Sequence, residues 1–373
     1  MMRRILLVWA AVIGLVSVAW GERRFPVGVT ERAFLKDDAS YDWRGAQTHA
    51  LLTTVWYPAE AKAREVAQWV GDPAHPFASA GKAARDARLA EKPGKFPLIL
   101  LSHGTGGSAQ MMAWLGTELA AHGYIAAAVN HPGNNALETY TVQGFTLGWE
   151  RAEDLGKVLD GMLGDSLLGA RIDASKVGAA GFSFGGYTVM ELAGGIGDMN
   201  HLVKFCSSNW SSNHLCDTPP EFPNLEQKAL ELMRSDAKYA AAMAKSTEPH
   251  SDPRIRAIFA IAPAYGGAFS TQSLAAISIP VAIVAGEGDP IALPDWNARV
   301  FAAHIPGSGL TIYPGKVGHY IFLDTCTEAG KMEKPELCVD APAINREMVH
   351  FEASERAIAF FDDALRVDFR LPR

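Results

Sequence analysis

The chain has 373 residues, 48% of them apolar, with 34 Lys and Arg against 41 Asp and Glu and a formal net charge of −7. That is enough chain for one large domain with a full core, or for two smaller ones. The mildly acidic balance, with no Lys/Arg cluster interleaved with aromatics, argues against a nucleic-acid partner.

Met1-Met-Arg-Arg4 is a basic start, Ile5 to Val18 is apolar, and Ala19-Trp20-Gly21 offers the small residues a signal peptidase reads. Residues 1–21 are therefore expected to be a signal peptide, cut after Gly21 or else after Ala19, leaving 22–373 as the mature domain. The apolar stretch is short for a spanning helix, which needs about 20 residues. An uncleaved anchor is the alternative, and with no cysteine following, a lipoprotein is not indicated. The expected location is exported, periplasmic or secreted.

Val27 to Leu35 and Ala50 to Tyr57 read as two antiparallel edge strands, the second ended by Pro58. Residues 59 to 95, rich in Ala, Lys and Pro, read as a surface connection. From Phe96 strands and helices alternate: strand 96 to 101, helix near 109 to 122, strand 124 to 130, helix near 149 to 163, strand 176 to 182 and helix 185 to 194. Such alternation predicts a mostly parallel sheet with helices on both faces. Between Gly194 and Pro253 it stops, and an apolar-periodic run from Leu225 to Lys245 suggests a helical insertion. Its place in the order puts it at the carboxyl edge of the sheet, as a cap over a site or as a buttress on the scaffold. Strands resume at 255 to 262, 279 to 285 and 310 to 313.

Gly181-Phe-Ser183-Phe-Gly185 directly follows the strand ending near Ala180. A G-x-S-x-G there is the signature of a nucleophile elbow, in which a strained turn exposes one hydroxyl and glycines let the following helix pack close behind it. The pentapeptide alone is weak in a chain with 35 glycines; the required partners, in the order serine, acid, histidine, give it weight. Asp289, in the turn Gly286-Glu-Gly-Asp-Pro290 after a buried strand, is the expected acid, with Glu287 and Asp295 as alternatives. His319, in the loop beyond the last strand, is the expected general base. Oxyanion donors are expected from the backbone N–H of Phe184 and of Thr105, the latter in the Gly-rich turn Ser102-His-Gly-Thr-Gly-Gly107 after strand 96 to 101.

Ser102-His-Gly-Thr-Gly106, Ala121 to His131, the elbow and Gly318-His319 together resemble the α/β-hydrolase superfamily, over roughly residues 45 to 325. More narrowly the set is similar to the secreted bacterial dienelactone-hydrolase-like proteins and their relatives, the platelet-activating-factor acetylhydrolases and the polyester hydrolases. The resemblance implies an α/β-hydrolase fold and an acyl-transfer site. Dienelactone hydrolases use a cysteine where this chain has Ser183. In the acetylhydrolases the acid follows the strand matching Ile255 to Ala262, where this chain has Ala262-Pro-Ala264. The acid must then follow the next strand, as in the polyester hydrolases, which again selects Asp289.

Other polar residues have plainer readings. His103 reads as a packing residue, and His131, at a strand's carboxyl end, as one that only reaches the pocket if the strand points it there. Arg151 and Asp154 read as an i,i+3 ion pair, Asp173 as a turn former. Trp210, Phe222, Met233, Tyr265 and Trp296 are candidates to line an acyl pocket but are equally core residues. The four cysteines allow three connectivities; local pairs, Cys206 with Cys216 and Cys326 with Cys338, are simplest and fit export. A zinc site built from the first pair with His201, His214 and Asp217 is the alternative, and lacks C-x-x-C spacing.

The expected activity is carboxylic-ester hydrolysis through an acyl-enzyme, on short- to medium-chain or lipid-like esters, with no metal or organic cofactor. The same triad also serves thioesterases, peptidases and acyltransferases, and the fold also serves as a non-catalytic binding scaffold.

Overall fold

The computed structural model describes residues 25–36, 42–209, 216–219 and 221–367. The signal-peptide reading, Trp210 and His214 lie outside them. Ten strands form one sheet: β1 (Val27–Phe34), β2 (Leu51–Pro58), β3 (Val66–Val70), β4 (Ala78–Arg85), β5 (Phe96–Ser102), β6 (Ile125–Val129), β7 (Ile172–Phe182), β8 (Ile255–Ile261), β9 (Val281–Gly286) and β10 (Gly309–Tyr313). Their order is β10-β9-β8-β7-β5-β6-β2-β1-β4-β3. From β6 to β10 neighbouring strands are parallel. β2 joins this block antiparallel to β6, and β1 pairs antiparallel with β2. This is the α/β-hydrolase fold.

Period-two alternation sorts each central strand between two cores. In β5, Phe96, Leu98 and Leu100 face the helices Glu150–Leu163 and Phe184–Leu192, whereas Ile99 and Leu101 face Ala113–Ala121 and Arg346–Ala364. β8 divides the same way, with Ile258 and Ala260 on the first side and Ala257, Phe259 and Ile261 on the second. Both faces are covered, so functional groups must gather at the carboxyl ends of the strands.

Two expectations need correction. Residues 59–95 are not a plain connection: they hold β3 and β4, so β1 and β2 are interior strands and β3 is the edge. β4, Ala-Ser-Ala-Gly-Lys-Ala-Ala-Arg, has little strand propensity of its own; tertiary pairing sets it. It lies parallel to β1, and the segment around Cys326 bonds to its start, Ser79 N–H donating to Thr325 O at 2.9 Å and Thr327 N–H to Phe77 O at 3.0 Å. The second correction is Arg346–Ala364, a 19-residue helix that the sequence reading passed over. Val349, Ala353, Ala357 and Phe361 recur at its buried face and cover the second core.

Both local disulfides form, Cys206–Cys216 and Cys326–Cys338, with Cα atoms 5.5 Å apart in each. The first removes both cysteines from the zinc alternative. Within 194–253 the insertion contains helices Met199–Asn209, Leu225–Ser235 and Ala237–Ala244. Among the described residues no helix is long and apolar enough to cross a membrane.

Candidate active site

β7 ends at Phe182 and the next helix begins at Phe184, so the whole turn falls on Ser183, which takes φ 55° and ψ −115°. No β-carbon favours that region. The strain is held from both sides: Ser183 N–H donates to Ile261 O on β8 at 2.9 Å, and its carbonyl accepts from Gly186 at 2.8 Å and Ala264 at 3.1 Å. A β-carbon on Gly181 would strike the carbonyl of Gly185, and one on Gly185 would strike the carbonyl of Ser102 at the end of β5. The elbow's glycines are thus required by close approach.

Ser183 Oγ lies 2.9 Å from His319 Nε2, and His319 Nδ1 lies 2.7 Å from Asp289 Oδ2. Asp289 sits in the turn after β9, where its other oxygen accepts the N–H groups of Ile291 and Ala292, each at 2.8 Å. With Oδ1 held by two backbone N–H groups, the carboxylate presents Oδ2 to the imidazole. It holds Nδ1 as the donor and leaves Nε2 to accept the serine proton. The two other acids considered do not compete: Glu287 and Asp295 both pair with Arg299 in solvent. Ser183 keeps 7% of its surface exposed, against 1% for Asp289.

The turn Ser102–Gly107 lies beside the elbow, Gly104 against the Phe182 ring and Ser183. Gly106 N–H donates to Asn134 Oδ1 at 2.7 Å and Gly107 N–H to Gly104 O at 3.2 Å. These bonds shape the turn around Thr105. Its side chain bonds to Tyr265, whose ring meets Phe184 edge-on at 5.2 Å.

A second Ser–His–Asp arrangement, which the sequence reading did not assemble, lies directly behind this one. Ser102 Oγ is 2.9 Å from His131 Nε2, and His131 Nδ1 is 2.8 Å from Asp154 Oδ2. By distances alone it has the geometry of a serine-hydrolase triad. Its surroundings differ. Ser102 and His131 are both wholly buried, and Ser102 Oγ also accepts from Arg151 Nη2 at 3.3 Å. Burial, and then the charge of Arg151, push His131 down to about 3. Such an imidazole is a poor proton acceptor at neutral pH, and both side chains are closed off from solvent. Ser102 ends an extended strand with no elbow. His131 turns to Ser102 and Asp154 in the interior, and His103, also buried, packs under the loop with Nδ1 donating to Gly104 O at 2.7 Å.

Asp154 is the anchor of a buried charge cluster. It accepts Lys36 Nζ at 3.0 Å and Arg44 Nη2 at 2.6 Å, and Glu150 accepts the same Lys36 at 3.1 Å. Burial pushes the Asp154 carboxyl up, but Arg44 and Lys36 together outweigh it and hold the group well below the usual carboxylate range. The expected Arg151–Asp154 pair is not made: both side chains are buried, and they turn to different partners. The available signal was topological. Ser102 and His131 close neighbouring parallel strands, and Glu150 and Asp154 are i,i+4 on one face of a helix that packs beneath them. Asp173 does not end a turn: it is the second residue of β7, where its carboxylate accepts Ser175 N–H at 3.1 Å.

The insertion approaches the Ser102–Gly107 turn. Glu221 reaches the neighbourhood of Gly106, whose carbonyl accepts Tyr140 Oη at 3.0 Å. Phe222 meets Phe145 edge-on at 5.4 Å, and Leu225, Ala229 and Leu232 pack on a small core of Val142, Leu147, Trp149 and Tyr239. Of the pocket candidates, Tyr265 adjoins the elbow, Trp296 packs on Phe205, and Met233 is exposed.

Residues 62–154, which include the Ser102–Gly107 turn, match the family model of platelet-activating factor acetylhydrolase, isoform II. The chain is similar to the platelet-activating factor acetylhydrolase of Cavia porcellus, 30% identical over 137 residues, covering 26% of this chain and 31% of that protein. It is also similar to cutinase 2 of Thermobifida cellulosilytica, 29% identical over 120 residues, covering 31% of this chain and 42% of that one. Less than half of either relative is spanned. Among solved structures, a ferulic acid esterase from Streptomyces cinnamoneus shares the fold, with a TM-score of 0.60 and 21% identity over 95% of this chain and 96% of that one.

Proposed function

We propose that the protein is a serine carboxylic-ester hydrolase in which Ser183 is the nucleophile, His319 the general base and Asp289 the orienting acid. The observation that carries this reading is the unbroken hydrogen-bond chain from Asp289 through His319 to Ser183 Oγ at a positive-φ elbow. Neutral His319 takes the Ser183 proton as the oxygen attacks the ester carbonyl, and the imidazolium then rests against Asp289. The tetrahedral oxyanion is received by the N–H groups of Thr105 and Phe184, each worth about 3 kcal/mol at a typical site. His319 returns the proton to the leaving alcohol. Water, deprotonated by the same imidazole, releases the acid from the acyl-enzyme.

Short- to medium-chain or lipid-like esters are the substrate class. The partial likeness to an acetylhydrolase and to cutinases supports it, as do the aromatics Tyr140, Phe145, Phe222 and Tyr265 around the mouth. Residues 194–253 act in this reading as a cap, and two disulfides fit export to an oxidising compartment. The test is a fluorophosphonate probe followed by peptide mass mapping, with turnover of p-nitrophenyl esters, thioesters and amides of graded chain length. One label, on Ser183, and loss of both labelling and ester turnover in Ser183→Ala are expected; retained turnover in that variant refutes the mechanism.

A further inference from the structure

Arg151 is a buried cation without a carboxylate of its own. In the cluster behind the loop, Lys36 and Arg44 are matched by Glu150 and Asp154. Among the described residues no carboxylate pairs with Arg151, and its Nη1 has no hydrogen-bond partner. Burying an unmatched guanidinium is costly, so its placement calls for a reason beyond stability.

Its contacts supply one. Arg151 Nη2 donates to the carbonyl of His103 and to Ser102 Oγ, the residues that lead into Gly104 and Thr105. Nε donates at 3.0 Å to Thr188 Oγ1, and Thr188 in turn donates at 2.9 Å to the carbonyl of Phe184. The guanidinium carbon lies 4.6 Å over the Phe184 ring. One planar fork therefore joins the strand end carrying one N–H donor to the helix start carrying the other, two segments separated by the β5–β7 crossover. The buried Ser102–His131–Asp154 chain fixes the far side of the same fork.

We propose that Arg151 is a positioning residue that holds the Thr105 and Phe184 N–H groups in register and adds an uncompensated positive charge behind the oxyanion they receive. This rests on the reading of those two groups as the oxyanion hole. Lysine keeps the charge but not the fork: its three N–H donors share one atom, which cannot span the partners that Nε and Nη2 reach separately; glutamine keeps some hydrogen bonding and loses the charge.

The experiment compares wild type, Arg151→Lys, Arg151→Gln and Ser183→Ala, with active sites counted by fluorophosphonate titration. Readouts are kcat and KM for p-nitrophenyl butyrate, the affinity of an alkyl trifluoromethyl ketone, and the affinity of the matching secondary alcohol. The ketone adds Ser183 Oγ to its carbonyl carbon, the proton passing to His319 and the charge to the former carbonyl oxygen; the alcohol cannot form that adduct. In Arg151→Gln, kcat per titrated site and ketone affinity are expected to fall together by about 100-fold, with KM and alcohol affinity within about threefold. Arg151→Lys should fall about tenfold, and remains the informative variant if Arg151→Gln does not fold. A merely structural arginine would lower the melting temperature and the number of titrated sites, but not kcat per site. If kcat per site and ketone affinity stay within about threefold of wild type in the folded variants, the inference is overturned. A wild type that neither turns over the ester nor binds the ketone more tightly than the alcohol would instead refute the hydrolase reading beneath it.

Discussion

Glu191 offers a test of the fold's electrostatics that does not depend on substrate. It lies on the nucleophile's helix, wholly buried, with Oε1 accepting the Tyr187 hydroxyl at 2.6 Å and Oε2 without a partner. Burial pushes its carboxyl up from 4.5 to about 8, against smaller opposing contributions from Tyr187 and His250. Between those pH values the folded protein keeps the proton and the unfolded chain gives it up, so stability falls as pH rises through the window. At about 1.4 kcal/mol per unit the full loss above pH 8 is about 5 kcal/mol, an upper bound once water and neighbouring side chains relax. Glu191→Gln keeps the acceptor for Tyr187 and cannot ionise. The two proteins should be nearly equally stable at pH 5, and the variant about 3 kcal/mol or more the stabler at pH 9. Urea unfolding at both pH values, with equal m-values required, measures the difference. Other titrating groups are common to both proteins and cancel. A stability difference that does not grow between pH 5 and pH 9 would refute the account of Glu191 as a buried neutral acid.

Four further outcomes are expected. Asp289→Asn should lower kcat about 10⁴-fold by favouring the wrong imidazole tautomer, while Asp295→Asn, paired with Arg299 in solvent, should stay within about threefold; the reverse result in p-nitrophenyl butyrate assays would move the acid to Asp295. Ser102→Ala removes a hydroxyl shared by His131 and Arg151 and should cost about 1–3 kcal/mol in denaturant unfolding, with the fluorophosphonate label still on Ser183; a label on Ser102 in wild type would reverse the assignment of the two triads. Burial and the nearby Arg346 outweigh the pull of Ile321 O and leave His350 at about 4, so the unfolded chain alone takes up a proton as pH falls from 6.5 towards 4, costing up to about 3 kcal/mol; in calorimetry His350→Gln, which keeps an N–H donor for Ile321, should flatten that acid limb relative to wild type. Replacing Cys206 and Cys216 by serine should change kcat/KM for octanoate esters more than for acetate esters if the insertion is a cap, and equal proportional loss would make it a buttress.

The parts of the molecule legible from sequence are those whose information is local. A strained elbow needs its glycines within two residues, a strand needs its alternation within six, and Asp289 and His319 each stand just beyond a strand whose apolar run marks it. Residues whose state is decided by distant partners were not legible. β4 is a strand because β1 and the segment at Thr325–Thr327 pair with it. Arg151 and Asp154 have the spacing of a surface ion pair, yet Lys36, Arg44, His103 and Thr188 arrive from four other parts of the chain and divide them.

The two Ser–His–Asp sets show what decides chemistry when distances do not. Their bond lengths are nearly equal. Ser183, Asp289 and His319 follow the carboxyl ends of β7, β9 and β10, and the positive-φ backbone turns the serine out of its strand. Ser102 and His131 end β5 and β6 over a helix that supplies Asp154 from beneath, so their hydrogen bonds run into the interior. There the same three side chains meet the obligation of every buried polar group to find a partner. An inward-facing chain of this kind is rigid where the outward-facing one must exchange protons, and it lies directly under the loop whose N–H groups an oxyanion would need. The fold thus places one Ser–His–Asp set behind the other, and in the reading we propose burial separates their roles.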